Sequence, residues 1–429
     1  MNDFFDLPTG TVTLDNVTVP SCHLGKSGDL ERVSLTIVDG RFTRETAPHR
    51  IDMQGAIALP AFIDMHTHLD KGHIWPRAAN PDGSFMGALA TVGVDREANW
   101  SAEDVRARMD FSLRCAFAHG TCAIRTHLDS LAPQDEISWP VFREMREEWA
   151  GRIALQAACL VGIDHVEAEE GGRFERTAAI VAESGGILGA VTYPVPDLQA
   201  RLDRFFDLAD RHDLEVDFHV DETGDPDVAT LRTIAETVIA RNFERRVTVG
   251  HCCSLAVQPD DEWRRTLDLV AEARLSVVSL PMCNLYLQDR NGDRTPRWRG
   301  VTLVHEMRER GINVSFASDN TRDPFYAHGD LDMVEVMREA TRIAHLDHSR
   351  NDWPRAFSFA PAMACGMVTP SFEAGAAADF VLFKARSWTE FFARPQSDRI
   401  VLRDGRAVDR TLPDYAELDH LMEKESATA

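Results

Sequence analysis

From about residue 56 to residue 320 the chain repeats one pattern, a short apolar run followed by a longer amphipathic stretch. Eight runs read as strands: "AIALPAFIDMH", "TCAIRTH", "RIALQAACL", "GILGAVTY", "LEVDFHVDE", "RVTVGHC", "LSVVSLPMC" and "INVSFASDN". Most are near-continuously apolar, as strands buried on both faces are. The stretches between them, such as "AEDVRARMDFSLRCAFAHG" and "WPVFREMREEWAGR", read as amphipathic helices. Strands alternating with helices imply an α/β fold with a parallel sheet covered by helices. Eight such units over about 300 residues suit a (β/α)8 TIM barrel. A doubly wound open sheet is the rival, and no G-x-G-x-x-G follows the first strand to support it.

The two ends read differently. "GTVTLDNVTVP" and "VSLTIVDGRFTRE" are β-rich and broken by Gly and Asp, and "EAGAAADFVLFKA" and "RIVLRDGRAV" resemble them. The Asp404-Gly405 pair is a hairpin turn signal. We expect a small β-sandwich domain formed by both termini, residues 1–57 plus 368–429, around a barrel over residues 58–367. The closing "LMEKESATA" reads as the frayed end of a helix.

Charge and cysteine content narrow the partners. Lys and Arg number 46 against 69 Asp and Glu, so the net charge is 46 − 69 = −23. An acidic surface disfavours nucleic acid and anionic membrane and says nothing about a small neutral substrate, the partner we expect. The eight cysteines show no C-x-x-C and no framework spacing. "MNDFFDLPTG" lacks a basic segment followed by an apolar one, and no run of about 18 apolar residues suggests a membrane span. The expectation is a reduced, cytoplasmic enzyme.

A barrel carries its chemistry at the carboxyl ends of its strands, so the polar residue closing each run deserves inspection. Strand 1 ends in His66 and His68, strand 5 in His219 followed by Asp221 and Glu222, strand 6 in His251, and strand 8 in Asp319 and Asn320. Each has a plainer reading alone. His-x-His pairs occur in loops, a single buried histidine is often just hydrogen-bonded, and Asp319 could cap the next helix. Together they favour a metal site. On a strand, residues i and i+2 share a face, so His66 and His68 can grip one cation. With His219 and Asp319 they offer mixed N/O ligation with open positions, which suits one Zn2+ or Fe2+ per subunit. Glu222 and His251 then suit proton transfer beside the ion, with Asp319 expected to serve both as ligand and as proton acceptor.

These residues sit in stretches that resemble the amidohydrolase superfamily, and within it the cytosine deaminase-like group: "LPAFIDMHTHLD", "IRTHLD", "VDFHVDE", "VTVGHC", "NLYLQDRNGDRTPRWRGVTLVHEMRERGINV", "SDNTRDPFY" and "EAGAAADFVLF". The "DK" and "SDNxRD" pattern is similar also to N-isopropylammelide-type aminohydrolases. The resemblance implies a barrel with a two-termini β-sandwich, one metal on His66, His68, His219 and Asp319, Glu222 as proton shuttle to a ring nitrogen, and His251 as partner of the attacking water. "GILGAVTYP" lacks the lysine that bridges two metals elsewhere in the superfamily, which implies a single ion. The family also tends to form homo-oligomers.

Three positions depart from the group. Leu160 stands where cytosine deaminases place a glutamine that brackets the pyrimidine, Asn320 replaces a second aspartate, and Phe325 replaces a tryptophan. With Asn284 and Gln288 after strand 7, these are the expected substrate contacts. Arg125 and His127, ending strand 2, are expected to support the metal-bound histidines, with pairing to a nearby carboxylate as the plainer reading. Lys71 is expected in a surface ion pair. The expected reaction is hydrolytic deamination of an amino-substituted nitrogen heterocycle, cytosine or a related pyrimidine, with amino- or alkylamino-triazines, pterins or a cyclic amide as alternatives. A non-catalytic barrel with a structural metal is the rival from another class.

Overall fold

The structure, a computed structural model, describes residues 10–348 and 352–422. Five N-terminal strands come first: β1 (Val12–Pro20), β2 (Leu30–Val38), β3 (Arg41–Thr43), β4 (Arg50–Asp52) and β5 (Ile57–Pro60). Eight parallel strands follow: β6 (Phe62–Thr67), β7 (Thr121–Asp129), β8 (Ala154–Leu160), β9 (Leu188–Thr192), β10 (Val216–Val220), β11 (Val247–His251), β12 (Ser276–Ser279) and β13 (Asn313–Phe316). The chain returns through β14 (Phe380–Phe383), β15 (Ile400–Arg403) and β16 (Arg406–Ala407).

The eight expected strands are present, with one correction. "AIALPAFIDMH" is two strands, not one. Pro60 cannot donate a ladder hydrogen bond, and the chain changes partners there. β5 pairs antiparallel with β14, whereas Phe62 donates its N–H to Gly120 as β6 starts beside β7. The parallel strands form a three-stranded sheet, β6-β7-β8, and a five-stranded sheet, β13-β12-β11-β10-β9. Isolated bridges span the gaps: Ala158 to Ile187 and Gly162 to Val191 on one side, Thr67 to Asp319 on the other. The arrangement is an α/β fold of the TIM-barrel type. Helices such as α1 (Phe85–Asn99) lie between the strands.

Both termini share one sheet, of order β16-β15-β14-β5-β1-β2-β3 with β4 against β1. Its own apolar core joins Val17 and Leu35 from the N-terminal part to Phe380 and Leu402 from the C-terminal part. The Asp404-Gly405 turn forms as expected, with φ of 46° and 69°. Such positive angles fit a right-twisted two-residue hairpin. The last helix is seen over Asp419–Met422. The remainder of "LMEKESATA", and the first nine residues, lie outside the described residues. Among the described residues all eight cysteines are free, and no helix is long and apolar enough to cross a membrane.

Arg125 was expected beside the metal and lies elsewhere. Its guanidinium donates to Asp217 (3.0 Å) and Gln156 (3.1 and 2.9 Å). His127, two residues on, does reach the histidines and stacks against His66 at 4.1 Å between centroids.

Candidate metal centre

Two strands and one sharp turn deliver the donor groups. The β6 pleat aims His66 and His68 to one face, β10 brings His219, and Asp319 follows β13 at a φ of +64°. The Asp319 N–H donates to the His66 carbonyl at 2.9 Å, which locks the two ends of the strand series together. His66 Nε2 stands 3.1 Å from His219 Nε2, and His219 Nε2 stands 3.4 Å from His68 Nε2. Asp319 Oδ1 is 3.2 Å from His68 Nε2 and 3.7 Å from His66 Nε2. Ligands about 2.0–2.1 Å from a tetrahedral ion stand about 3.3–3.4 Å apart, so these donors are spaced closely enough that they could hold one cation; His127 stands in the same histidine group, and His251 groups with His66 and Asp319.

The environment fits a cation too. Neither oxygen of Asp319 has a hydrogen-bond partner, although both are buried, and orphaned buried acceptors are costly. Burial, aided by neighbouring imidazoles, pushes His66 and His219 far below the usual histidine range. Burial and then the Lys71 ammonium do the same to His68. The three rings are neutral and keep a lone pair to donate. Burial raises the Asp319 carboxyl to about 7 when no cation faces it.

Glu222 and His251 flank this cluster. Burial, then the Asp319 charge, raises Glu222 well above the carboxylate range. Burial lowers His251 to about 3. Asn284 Nδ2 reaches both, lying 3.1 Å from Glu222 Oε1 and 3.0 Å from His251 Nδ1. Gln288 donates to the Glu222 carbonyl at 3.1 Å. Asp221 turns away and caps the helix Thr230–Arg241 through Thr230 and Leu231 N–H groups. His251, Asp221 and Asp319 all adopt positive φ, of 68°, 50° and 64°. Left-handed backbone at non-glycine residues costs energy and gathers at functional sites.

A cavity of about 390 Å³ opens over these groups. His68, His219, Glu222, His251 and Asp319 form its floor, and Leu160, Asn320 and Phe325 stand in its wall as expected. His66 sits behind them. Asn284 and Gln288, expected at the substrate, do not line the cavity and pack against Glu222 instead. Phe85, Leu89 and Val92 of α1, with Leu131, Val161 and Val191, make up an apolar part of the remaining wall.

Lys71 is the clearest correction. It is not a surface residue but 4% exposed, lines the cavity, and pairs with Asp129 at 3.1 Å. The reason is the turn after His68, where the Lys71 and Gly72 N–H groups both donate to the His68 carbonyl and fold the side chain inward. Asp129 and Arg96 also line the cavity and went unnoticed in the sequence. A signal existed for one of them, since Asp129 closes the second apolar run as His219 and Asp319 close theirs.

The chain matches the amidohydrolase family over residues 158–409. This chain belongs to the amidohydrolase family. It is 53% identical over 419 residues to a pterin deaminase of Rhizobium rhizogenes, covering 95% of each chain. It is 24% identical to the N-isopropylammelide isopropyl amidohydrolase of a Pseudomonas species, over 71% of this chain and 73% of that one. Among solved structures it resembles the 5-methylcytosine deaminase of Klebsiella pneumoniae, with a TM-score of 0.77, 22% identity, and coverage of 94% and 98% of the two chains. At such identity the likeness speaks for the fold. The expectation of a metal-dependent deaminase, hydrolysing a carbon–nitrogen bond of a small heterocycle, stands among amidohydrolases.

Proposed function

We propose that this amidohydrolase deaminates a pterin, a bicyclic ring bearing an amino group between two ring nitrogens and an oxo group beyond one of them. The observation that carries the reading is the 53% identity, over nearly the whole chain, to a pterin deaminase. The sequence reading put cytosine first and pterins among the alternatives, and this relative moves pterins ahead. The cavity supports the order. Its volume of about 390 Å³ falls within the range of small-ligand pockets, and its apolar walls suit the faces of a flat second ring. Leu160 offers no amide to bracket a lone pyrimidine.

In this reading His66, His68, His219 and Asp319 hold one divalent ion, zinc or iron, since mixed imidazole and carboxylate ligation suits both. When bound, such an ion acts as a Lewis acid that brings the pKa of water toward neutrality. The chain's own groups handle the protons. Asn284 Nδ2 donates to His251 Nδ1, so the neutral ring keeps its proton on Nε2, which has no protein partner and donates to the oxygen of the attacking water. Glu222 Oε1 accepts from Asn284, so Oε2 takes one proton from the attacking water and passes it to the ring nitrogen beside the attacked carbon. The remaining hydroxyl proton passes by way of Asp319 to the amine, which leaves as ammonia while a carbonyl takes its place. The apolar walls exclude bulk water from the reacting groups.

We also read the parallel strands as one closed barrel, and the terminal sheet as a sandwich folded on its shared core. The domains are then residues 58–367 and residues 1–57 plus 368–429, with β5 straddling the boundary.

The test is ammonia release by metal-loaded protein from pterin, cytosine and an amino-triazine. Pterin is expected to react, and Glu222→Gln to lose about 100-fold or more of that rate. Release from cytosine without release from pterin would restore the pyrimidine reading.

A further inference from the structure

Lys71 is buried beside the reacting groups and the proton chemistry above does not use it. Its ammonium carries three N–H donors and no acceptor. Among the described residues it has one ion-pair partner, Asp129, at 3.1 Å. That carboxylate is shared, because its other oxygen accepts from Arg96 Nη1 at 3.1 Å. Asp70 and Asp323 act on Lys71 through their charge but hydrogen-bond elsewhere. Asp70 accepts from the Asp129 N–H, and Asp323 from Asn320 and the Phe325 and Tyr326 N–H groups. The ring of Phe325 lies 5.2 Å from Nζ and backs the side chain.

The other side-chain donors at the cavity narrow the question. Asn320 gives its amide N–H to Asp323 at 2.7 Å. Tyr193 donates to Asp164. His165 and Arg96 also line the cavity, but Lys71 is the donor whose charge acts on Glu222, Asp319 and His219. A heterocycle seated with its reacting carbon over the donor cluster would therefore meet Lys71 on an edge near that carbon, and that edge must offer an acceptor.

We propose that Lys71, held in place by Asp129, determines specificity by donating a hydrogen bond to the exocyclic oxo group of the substrate, across one ring nitrogen from the attacked carbon. This rests on the pterin reading and adds to it the requirement for that oxygen. Negative charge entering the ring as water adds is shared with a conjugated oxo group, so the ammonium stabilises the transition state more than the ground state. Asp129 keeps Nζ from swinging toward Glu222, and Arg96 keeps Asp129 from taking the Lys71 proton.

The experiment compares pterin with 2-aminopteridine, which lacks the oxo group, using metal-loaded wild type, Lys71→Met and Lys71→Arg. A lost charge-assisted hydrogen bond predicts a drop of about 100-fold in kcat/KM on pterin for Lys71→Met. On 2-aminopteridine, Lys71→Met is expected to stay within about threefold of wild type, and Lys71→Arg to recover part of the pterin rate. An equal loss on both rings, or none on pterin, would overturn the assignment, and a thermal melt of each variant separates misfolding from either result. If wild type turns over neither ring, the activity reading fails and this assignment passes to binding. Pterin and 2-aminopteridine would then be titrated against metal-loaded Glu222→Gln with and without Lys71→Met. A selective weakening of pterin supports the assignment, and equal weakening or no binding overturns it.

Discussion

At Gly250 the backbone leaves no room for a side chain. A Cβ there would stand 3.0 Å from His66 Cε1 and 3.2 Å from its Nδ1, so a methyl group would push the imidazole off its position. Groups that orient a metal ligand are worth about 10–100-fold in metal affinity. Gly250→Ala is expected to weaken metal binding by about that much, read by competition with a chelator of known affinity, while activity returns at saturating metal. Unchanged affinity would remove His66 from the ligand set. The same crowding shows why His66 could be read from the sequence and its support could not. A histidine closing an apolar run is visible, whereas the need for glycine on β11 depends on which side chain the fold lays over it.

One element joins the terminal sheet to the parallel strands. Arg399, just before β15, grips Asp332 with two nitrogens at 2.6 and 2.5 Å and donates to the His119 carbonyl at 3.2 Å. Asp332 also caps the helix Met333–Ala344 through the Val334 N–H. Burial opposes the charge on Asp332, and Arg399 more than offsets it, holding the carboxyl below its usual range. The folded state thus binds this proton less tightly than the unfolded chain. The resulting stability is present above the ordinary carboxylate pKa of about 3.9 and is lost as pH falls through the lower folded value. Arg399→Ala leaves a buried carboxylate unpaired, at a cost of about 3–5 kcal/mol near neutral pH. In that variant burial alone raises Asp332, so its deficit relative to wild type should shrink as pH falls toward 4. Denaturant titrations across pH would show this, and a constant deficit would mean that packing rather than charge holds the joint.

For the molecule as a whole, a cation would tie β6, β10 and the Asp319 turn after β13 into one unit. A ligand bound by the folded state alone stabilises it by about 4 kcal/mol at a thousandfold excess over its Kd. Stripping the metal with a chelator is therefore expected to lower the Tm by several degrees, and zinc or iron to restore it, as scanning calorimetry would record. An unchanged Tm would mean that the histidines hold their places without an ion. The acidic surface, with a net charge of −23, works against nucleic acid as a partner.

The sequence by itself determined the α/β class and singled out polar residues that the fold brings together, because both follow from short-range patterns. Apolar runs show where strands lie, and a polar residue ending such a run is conspicuous because burial penalises it unless it has a task. His66, His68, His219, Glu222, His251 and Asp319 were all legible on that ground. Tertiary structure decided what depends on folding back. It split "AIALPAFIDMH" between two sheets, because Pro60 ends one ladder and only the partner strands say which ladder comes next. It placed Arg125 with Asp217 and Gln156, away from the donors, and packed Asn284 and Gln288 against Glu222 rather than along the cavity. It also turned Lys71 inward toward Asp129, a partner 58 positions along the chain. Spacing along a strand or helix carries no information about such contacts, whose energy arises only when distant segments exclude water together.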